Sequence, residues 1–181
     1  MSELTLYSAA TKAVLLQTRE CGRIRDVLKQ RGIGFERWPA QHQLDCDASI
    51  AQILATYKRE IEWTQERGNF PSVDAIRVLP DHPDRESLRQ KFLKEHVHAE
   101  DEVRFFVEGC GLFCLHIGDE VVQVLCETND WISVPAGTRH WFDMGAKPRF
   151  CTLRFFNNPS GWVAEFTGDT IADRYPRLSA S

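Results

Sequence analysis

From His96 onward the chain is written in short apolar runs. VRFFVEGCG, GLFCLHIGDE, VVQVLCE, WISVPAG, HWFDM and RFCTLRFF follow in quick succession. Each is rich in Val, Ile, Phe or Trp, and each is punctuated by Gly, Asn-Asp or Pro. Regular short strands with turn signals between them restrict the fold to an all-β sandwich or barrel. The expected architecture is mainly β, with a small β-barrel or jelly-roll core at roughly 70–160 inside a single domain spanning 1–181. Helices and a few strands from the N-terminal part pack around it.

The upstream half supplies those elements. LTLY and FERW alternate as strands, and Pro39 halts the second. RIRDVLKQRGIG reads as a short helix stopped at Gly32 or Gly34. Asp45 to Gly68 is the clearest helix, because Ile50, Ile53, Leu54, Tyr57 and Ile61 share one face of a 3.6-residue period, with Asp47 or Ser49 as cap. AIRVL is a strand closed by Pro80. DRESLRQKFLKEH, 84–96, reads as a helix with Asp84 as N-cap and Leu88, Phe92 and His96 on one face. The tail GDTIADRYPRLSAS is polar and reads as loosely held.

Bulk properties exclude several functions. The net charge is −4 and the pI is near 5.9, so nothing favours nucleic acid or an anionic membrane. No apolar run approaches the ~20 residues of a membrane helix. MSELTLYSAATKAVLL lacks the basic start and long apolar core of a signal peptide, which gives a cytoplasmic expectation. Six cysteines include no CxxC pair, which argues against a thiolate zinc knuckle. Cys110, Cys114, Cys126 and Cys151 fall in strand-like runs and read as small buried hydrophobes in a reducing compartment.

HVHAEDE carries the chemistry. On a strand, residues two apart face the same side, so His96 and His98 can reach one point; on a helix they would diverge. If AED turns, Glu102 can come back toward that point from the next strand. His140 opens another strand after the Pro135–Gly137 turn, and antiparallel pairing could bring it opposite. Three imidazoles and a carboxylate form a mixed N/O set that suits Fe(II), Ni(II), Mn(II) or Zn(II). Around an octahedral metal, four such ligands leave two adjacent positions open, whereas a tetrahedral structural zinc would be closed. His42, His82 and His116 have no motif context and read as surface or satisfied core histidines.

These residues resemble the two cupin motifs, G-x5-H-x-H-x3,4-E-x6-G and G-x5-P-x-G-x2-H-x3-N. His96, His98, Glu102 and Gly109 match the first, and Pro135, Gly137 and His140 match the second. Gln90, Asn129 and Met144 depart from it at positions that are not ligands. FERW, KFLKEHVHAEDEVRFFVEG, VPAGTRHWFDMG and RFFNNPSGWVAEFTGD extend the resemblance, over most of the chain, to the acireductone dioxygenase family of methionine salvage. The resemblance implies a cupin-type jelly-roll barrel with flanking helices. It implies one Fe(II) or Ni(II) per chain on His96, His98, Glu102 and His140, with an acireductone and O2 as substrates; the chain itself is expected to be a monomer. It also implies formate and the keto-acid precursor of methionine from the Fe(II) form, and formate, carbon monoxide and methylthiopropionate from the Ni(II) form.

An enediolate substrate calls for a cation beside the metal. Arg104 is the first candidate and Arg154 the second. The methylthio tail calls for an apolar pocket, for which Phe92, Phe142 and Trp162 are placed by their neighbourhood to the motifs. Asp101 reads either as a base or as a turn residue. Two alternatives stay open on the same scaffold: a decarboxylase or isomerase using Mn(II) or Zn(II), and a non-enzymatic metal- or ligand-sensing cupin.

Overall fold

The computed structural model describes residues 1–158 and 163–179. The first half contains β1 (Glu3–Ser8), β2 (Val14–Thr18), α1 (Cys21–Lys29), β3 (Gly34–Arg37), α2 (Ile50–Thr56), α3 (Lys58–Arg67), β4 (Ser72–Val78) and α4 (Arg85–Phe92). The second half contains β5 (His96–Val97), β6 (Glu102–Ile117), β7 (Glu120–Glu127), β8 (Asp130–Val134), β9 (Arg139–Asp143), β10 (Phe150–Phe156) and β11 (Glu165–Phe166), then a 3-10 turn at Ile171–Arg174.

β6 organises the molecule because it belongs to two sheet layers. Its first half pairs antiparallel with β8 and β10, and its second half with β7 and β9. One layer runs β4-β10-β6-β8-β3, and the other runs β11-β5-β9-β6-β7-β1-β2. The crossing is made locally. The register against β10 slips between Cys151 and Thr152, and Gly109 just beyond has φ +66°. A Cβ at Gly109 would lie 1.7 Å from the Arg149 carbonyl oxygen. A bulge followed by a left-handed glycine bends a strand from one sheet into the next. The cupin-motif glycine is therefore the corner of the barrel.

The two layers close on an aromatic and aliphatic interior in which Phe106, Phe113, Phe142 and Phe150 pack with Val122, Val124, Ile132 and Val134. A second cluster places Ile53, Tyr57 and Ile61 of the helical region against Phe105, Leu153 and Phe155 on the outer face of β6 and β10. Among the described residues no helix is long and apolar enough to cross a membrane.

Several local expectations are corrected. The helix expected over 45–68 starts at Ile50, where Ser49 and Gln52 form a capping box. It breaks at Tyr57 (φ −102°, ψ 22°), whose buried hydroxyl donates to the His42 carbonyl at 3.0 Å. α4 stops at Phe92 and His96 is taken instead by a strand pairing with His140; Asp84 makes no side-chain cap. β2 and β11 lacked a sequence signal. The tail is held, not loose: Ile171, Ala172 and Tyr175 are buried against Trp141 and Tyr7, and Leu178 N donates to Asp143 Oδ2 at 2.8 Å. The apolar residues that anchor it are few and spaced among polar ones, so average polarity conceals them.

Candidate metal centre

β5 and β9 pair at His96 and His140, and β9 pairs with β6 through His140 and Leu115. His98 follows directly after β5, and Glu102 opens β6. The turn that delivers His140 is strapped to the first motif twice. Gly137 N donates to the His98 carbonyl at 2.8 Å, and Ala136 N donates to Asp101 Oδ1 at 2.9 Å. Gly137 sits at φ +73° and Asn129 at φ +86°. Asn129 stands where the cupin pattern has glycine, and asparagine is among the residues that best tolerate this conformation. The departure therefore preserves the turn.

The three imidazoles converge. Ring centroids lie 4.4 Å apart for His96 and His140, 5.0 Å for His96 and His98, and 5.1 Å for His98 and His140. All three are buried, and one ligand nitrogen from each falls within 4.8 Å of the others. Each ring is oriented from behind: Nδ1 of His96 meets Lys94 O at 2.7 Å, that of His98 meets Val163 O at 3.0 Å, and that of His140 meets Thr138 O at 2.8 Å. A carbonyl can only accept, so each Nδ1 carries the proton and the Nε2 lone pair of the neutral ring faces inward.

Glu102 completes the set. Its Oε2 lies 3.2 Å from His98 Nε2 and 2.9 Å from His140 Nε2, while Oε1 accepts from Arg104 Nε at 2.6 Å. Glu102 Oε2 and His140 Nε2 are buried, close and misaligned for each other, and among the described residues neither finds a hydrogen-bond partner. Such orphaned atoms are rare in interiors, and here they belong to types that bind divalent metals. The donor set fits a metal ion.

Electrostatics favour a neutral His96 and an ionised Glu102. Burial, then the His140 ring, push His96 down to about 4. Burial would raise Glu102, but Arg104, His140 and His98 beside it hold it well below the usual carboxylate range. Burial would lower His98, but the Glu102 carboxylate beside it raises it.

The donors face a cavity of about 110 Å³ that Phe92, Phe142, Arg104 and Arg154 also line. Arg104 is buried, with its guanidinium over Phe142 at 5.2 Å and Phe113 at 5.5 Å. Arg154 is gripped by Asp74 through two bonds of 2.7 and 2.6 Å. Asp101 is not among the cavity-lining residues, and its Oδ1 serves the turn by accepting from Ala136 N. Trp162 lies outside the described residues. Sequence reasoning missed Lys91, Ala164 and Phe166, which also line the cavity. Lys91 had only its adjacency to Phe92 as a signal, and the other two depend on β11, which pairs with β5.

A second histidine–carboxylate group lies nearby. Glu95 Oε1 meets His116 Nδ1 at 2.6 Å, and Glu95 Oε2 accepts from Thr167 Oγ1 at 2.6 Å. Asp169 completes a triad that could also hold a metal by distance. His116 is buried, with its Nδ1 on Glu95.

A two-layered antiparallel barrel whose inner wall carries three imidazoles and a carboxylate defines a cupin-type metal-binding protein. The family model described as ARD/ARD' matches residues 6–164, and the chain belongs to that family. It is 65% identical over 184 residues to an acireductone dioxygenase of Prochlorococcus marinus (strain MIT 9313), covering 98% of this chain and 100% of that protein. It is 61% identical over 178 residues to one from Synechococcus sp. (strain WH7803), covering 98% and 99%. A solved acireductone dioxygenase from Bacillus anthracis, with a cadmium ion in its active centre, superposes with a TM-score of 0.79 at 27% identity, covering 92% of this chain and 98% of that one.

Proposed function

We propose that this chain is an acireductone dioxygenase that cleaves 1,2-dihydroxy-3-keto-5-methylthiopentene with O2, using one Fe(II) or Ni(II) held by His96, His98, Glu102 and His140. One observation carries the reading: Glu102 Oε2 and His140 Nε2 are buried without hydrogen-bond partners among the described residues, at the point where His96 and His98 converge. The near-full-length relatives of that activity support it, as does the metal-bound neighbour.

Bound there, the metal supplies Lewis acidity that favours the deprotonated enediolate. The protein's own groups do the rest. Backbone carbonyls behind His96, His98 and His140 fix their tautomers and aim. Arg104 holds Glu102 in place through Oε1, leaving Oε2 for the metal. Arg154 presents a cation to the substrate oxygens, and Phe92 and Phe142, with ring centroids 6.3 Å apart, form the apolar wall for the methylthio tail, a role also assigned to Trp162. Asp101 acts by holding the turn that carries His140.

Products follow the metal in this reading. The Fe(II) form gives 4-methylthio-2-oxobutanoate and formate; the Ni(II) form gives 3-methylthiopropanoate, formate and carbon monoxide. Nickel binds a fixed N/O site more tightly than iron, so the metal found in a preparation reflects its supply. The test is anaerobic reconstitution of one metal-free batch with each metal, followed by O2 uptake on synthetic acireductone and product analysis. Uptake with two product sets supports the proposal. Identical products would remove metal control, and no uptake with metal bound would leave a different cupin enzyme or a sensor.

A further inference from the structure

The cavity holds two arginines on adjacent strands, a costly arrangement unless something fixes each one. Arg154 on β10 stands directly opposite Arg104 on β6 and directly opposite Asp74 on β4. Directly opposed residues of antiparallel strands share a face, so Asp74, Arg154 and Arg104 form one row along a single side of the sheet. Each arginine is held by an acid. Glu102 holds Arg104 through Nε at 2.6 Å, and Asp74 holds Arg154 through Nε and Nη2 at 2.7 and 2.6 Å. Arg104 is buried and packed over two aromatic rings, so it has no room to retreat. Arg154 is only partly buried, and Asp74 is 41% exposed. Repulsion from Arg104 therefore acts on a side chain with an open route to solvent, and the fork-on-carboxylate geometry of Asp74 opposes that movement.

We propose that Asp74 is a positioning residue, which holds the Arg154 guanidinium at the cavity wall in the orientation that meets the substrate's anionic oxygens. The inference rests on the reading above that Arg154 contacts substrate. Asp74 itself does not line the cavity and acts only through Arg154. A half-exposed ion pair contributes little to stability, so the role is geometric and separable from folding.

The test is steady-state kinetics of the Fe(II)-reconstituted enzyme for D74N, D74E, R154M and the double variant D74N/R154M. The expected result for D74N is a KM raised about tenfold with kcat within about twofold, the pattern of lost ground-state and transition-state binding alike. Metal content stays unchanged and the melting temperature stays within about 2 °C. D74E recovers most of the KM, and the double variant is no worse than R154M. If R154M raises KM while D74N does not, the inference about Asp74 is overturned and the role of Arg154 stands. If R154M leaves KM unchanged, the assignment of Arg154 to substrate fails, and this inference with it. Loss of melting temperature and metal content in D74N, in step with its KM, would make Asp74 merely structural and overturn the proposal.

Discussion

Two clusters of histidine and carboxylate lie back to back around β5, and they differ in their open valences. Glu95 and His96 are neighbours in sequence, yet they belong to different clusters. In the Glu95 cluster the buried carboxylate is matched: His116 and Thr167 take both its oxygens, and Asp169 Oδ1 accepts from Ile171 N at 2.9 Å. In the His96 cluster the outer nitrogens are matched to carbonyls, while His140 Nε2 and Glu102 Oε2, 2.9 Å apart, are left without hydrogen-bond partners among the described residues. Residue type alone does not separate a metal site from a strut. What separates them is whether buried polar atoms satisfy each other or wait for something else.

The largest effect expected from this contrast is at His140. H140A should lose bound metal and lower turnover by ~10³-fold or more, while the urea midpoint changes little; retained metal with full activity would move the site elsewhere. Next is Arg104, whose removal frees Glu102 Oε1. R104M should keep metal binding measurable but lower turnover by about 10–100-fold, the range for residues that orient a ligand. Unchanged turnover would detach Arg104 from the site.

On the closed side the effects should appear in stability. H116Q removes a hydrogen bond to a buried carboxylate, and a loss of about 1–3 kcal/mol is expected in urea unfolding, with metal content preserved. A loss of metal would mean that the two clusters act as one. Asp143 makes the same point with a pH signature. Its burial would raise its pKa, but Arg89 and the Gly145 and Leu178 N–H groups lower it. A depressed carboxylate adds stability that is present above its unfolded value of 3.8 and is lost as pH falls through its lower folded value. D143N should therefore cost about 1–2 kcal/mol near neutral pH and flatten the acid limb of the stability curve. An unchanged acid limb would show that Asp143 is not ionised by these contacts. The smallest effect belongs to Asp101: D101N should change turnover by less than about threefold, and a loss beyond tenfold would restore its reading as a base.

The open cluster was far more legible in sequence than the closed one. HxH, the following glutamate and PxGxxH have spacings that strands and a glycine-bearing turn convert directly into convergence. Glu95, Thr167 and Asp169 have no spacing to read, because β11 brings them together from far along the chain and β11 has only two residues. The barrel was visible in its alternating apolar runs, whereas the switch of β6 between layers depends on a bulge that no periodicity marks. The break at Tyr57 was hidden for a similar reason: the apolar face continues through it, and only the hydroxyl reaching His42 shows why the helix turns. Asp74 pairs with Arg154 across strands 80 residues apart, a distance at which local pattern carries no information.

An anaerobic Fe(II) titration of metal-free protein, run for the wild type beside H116Q and H140A, addresses the contrast most directly. The expected result is saturation at one equivalent per chain for the wild type and for H116Q, with no tight site in H140A. Two equivalents in the wild type, one of them lost in H116Q, or full occupancy in H140A, would contradict it.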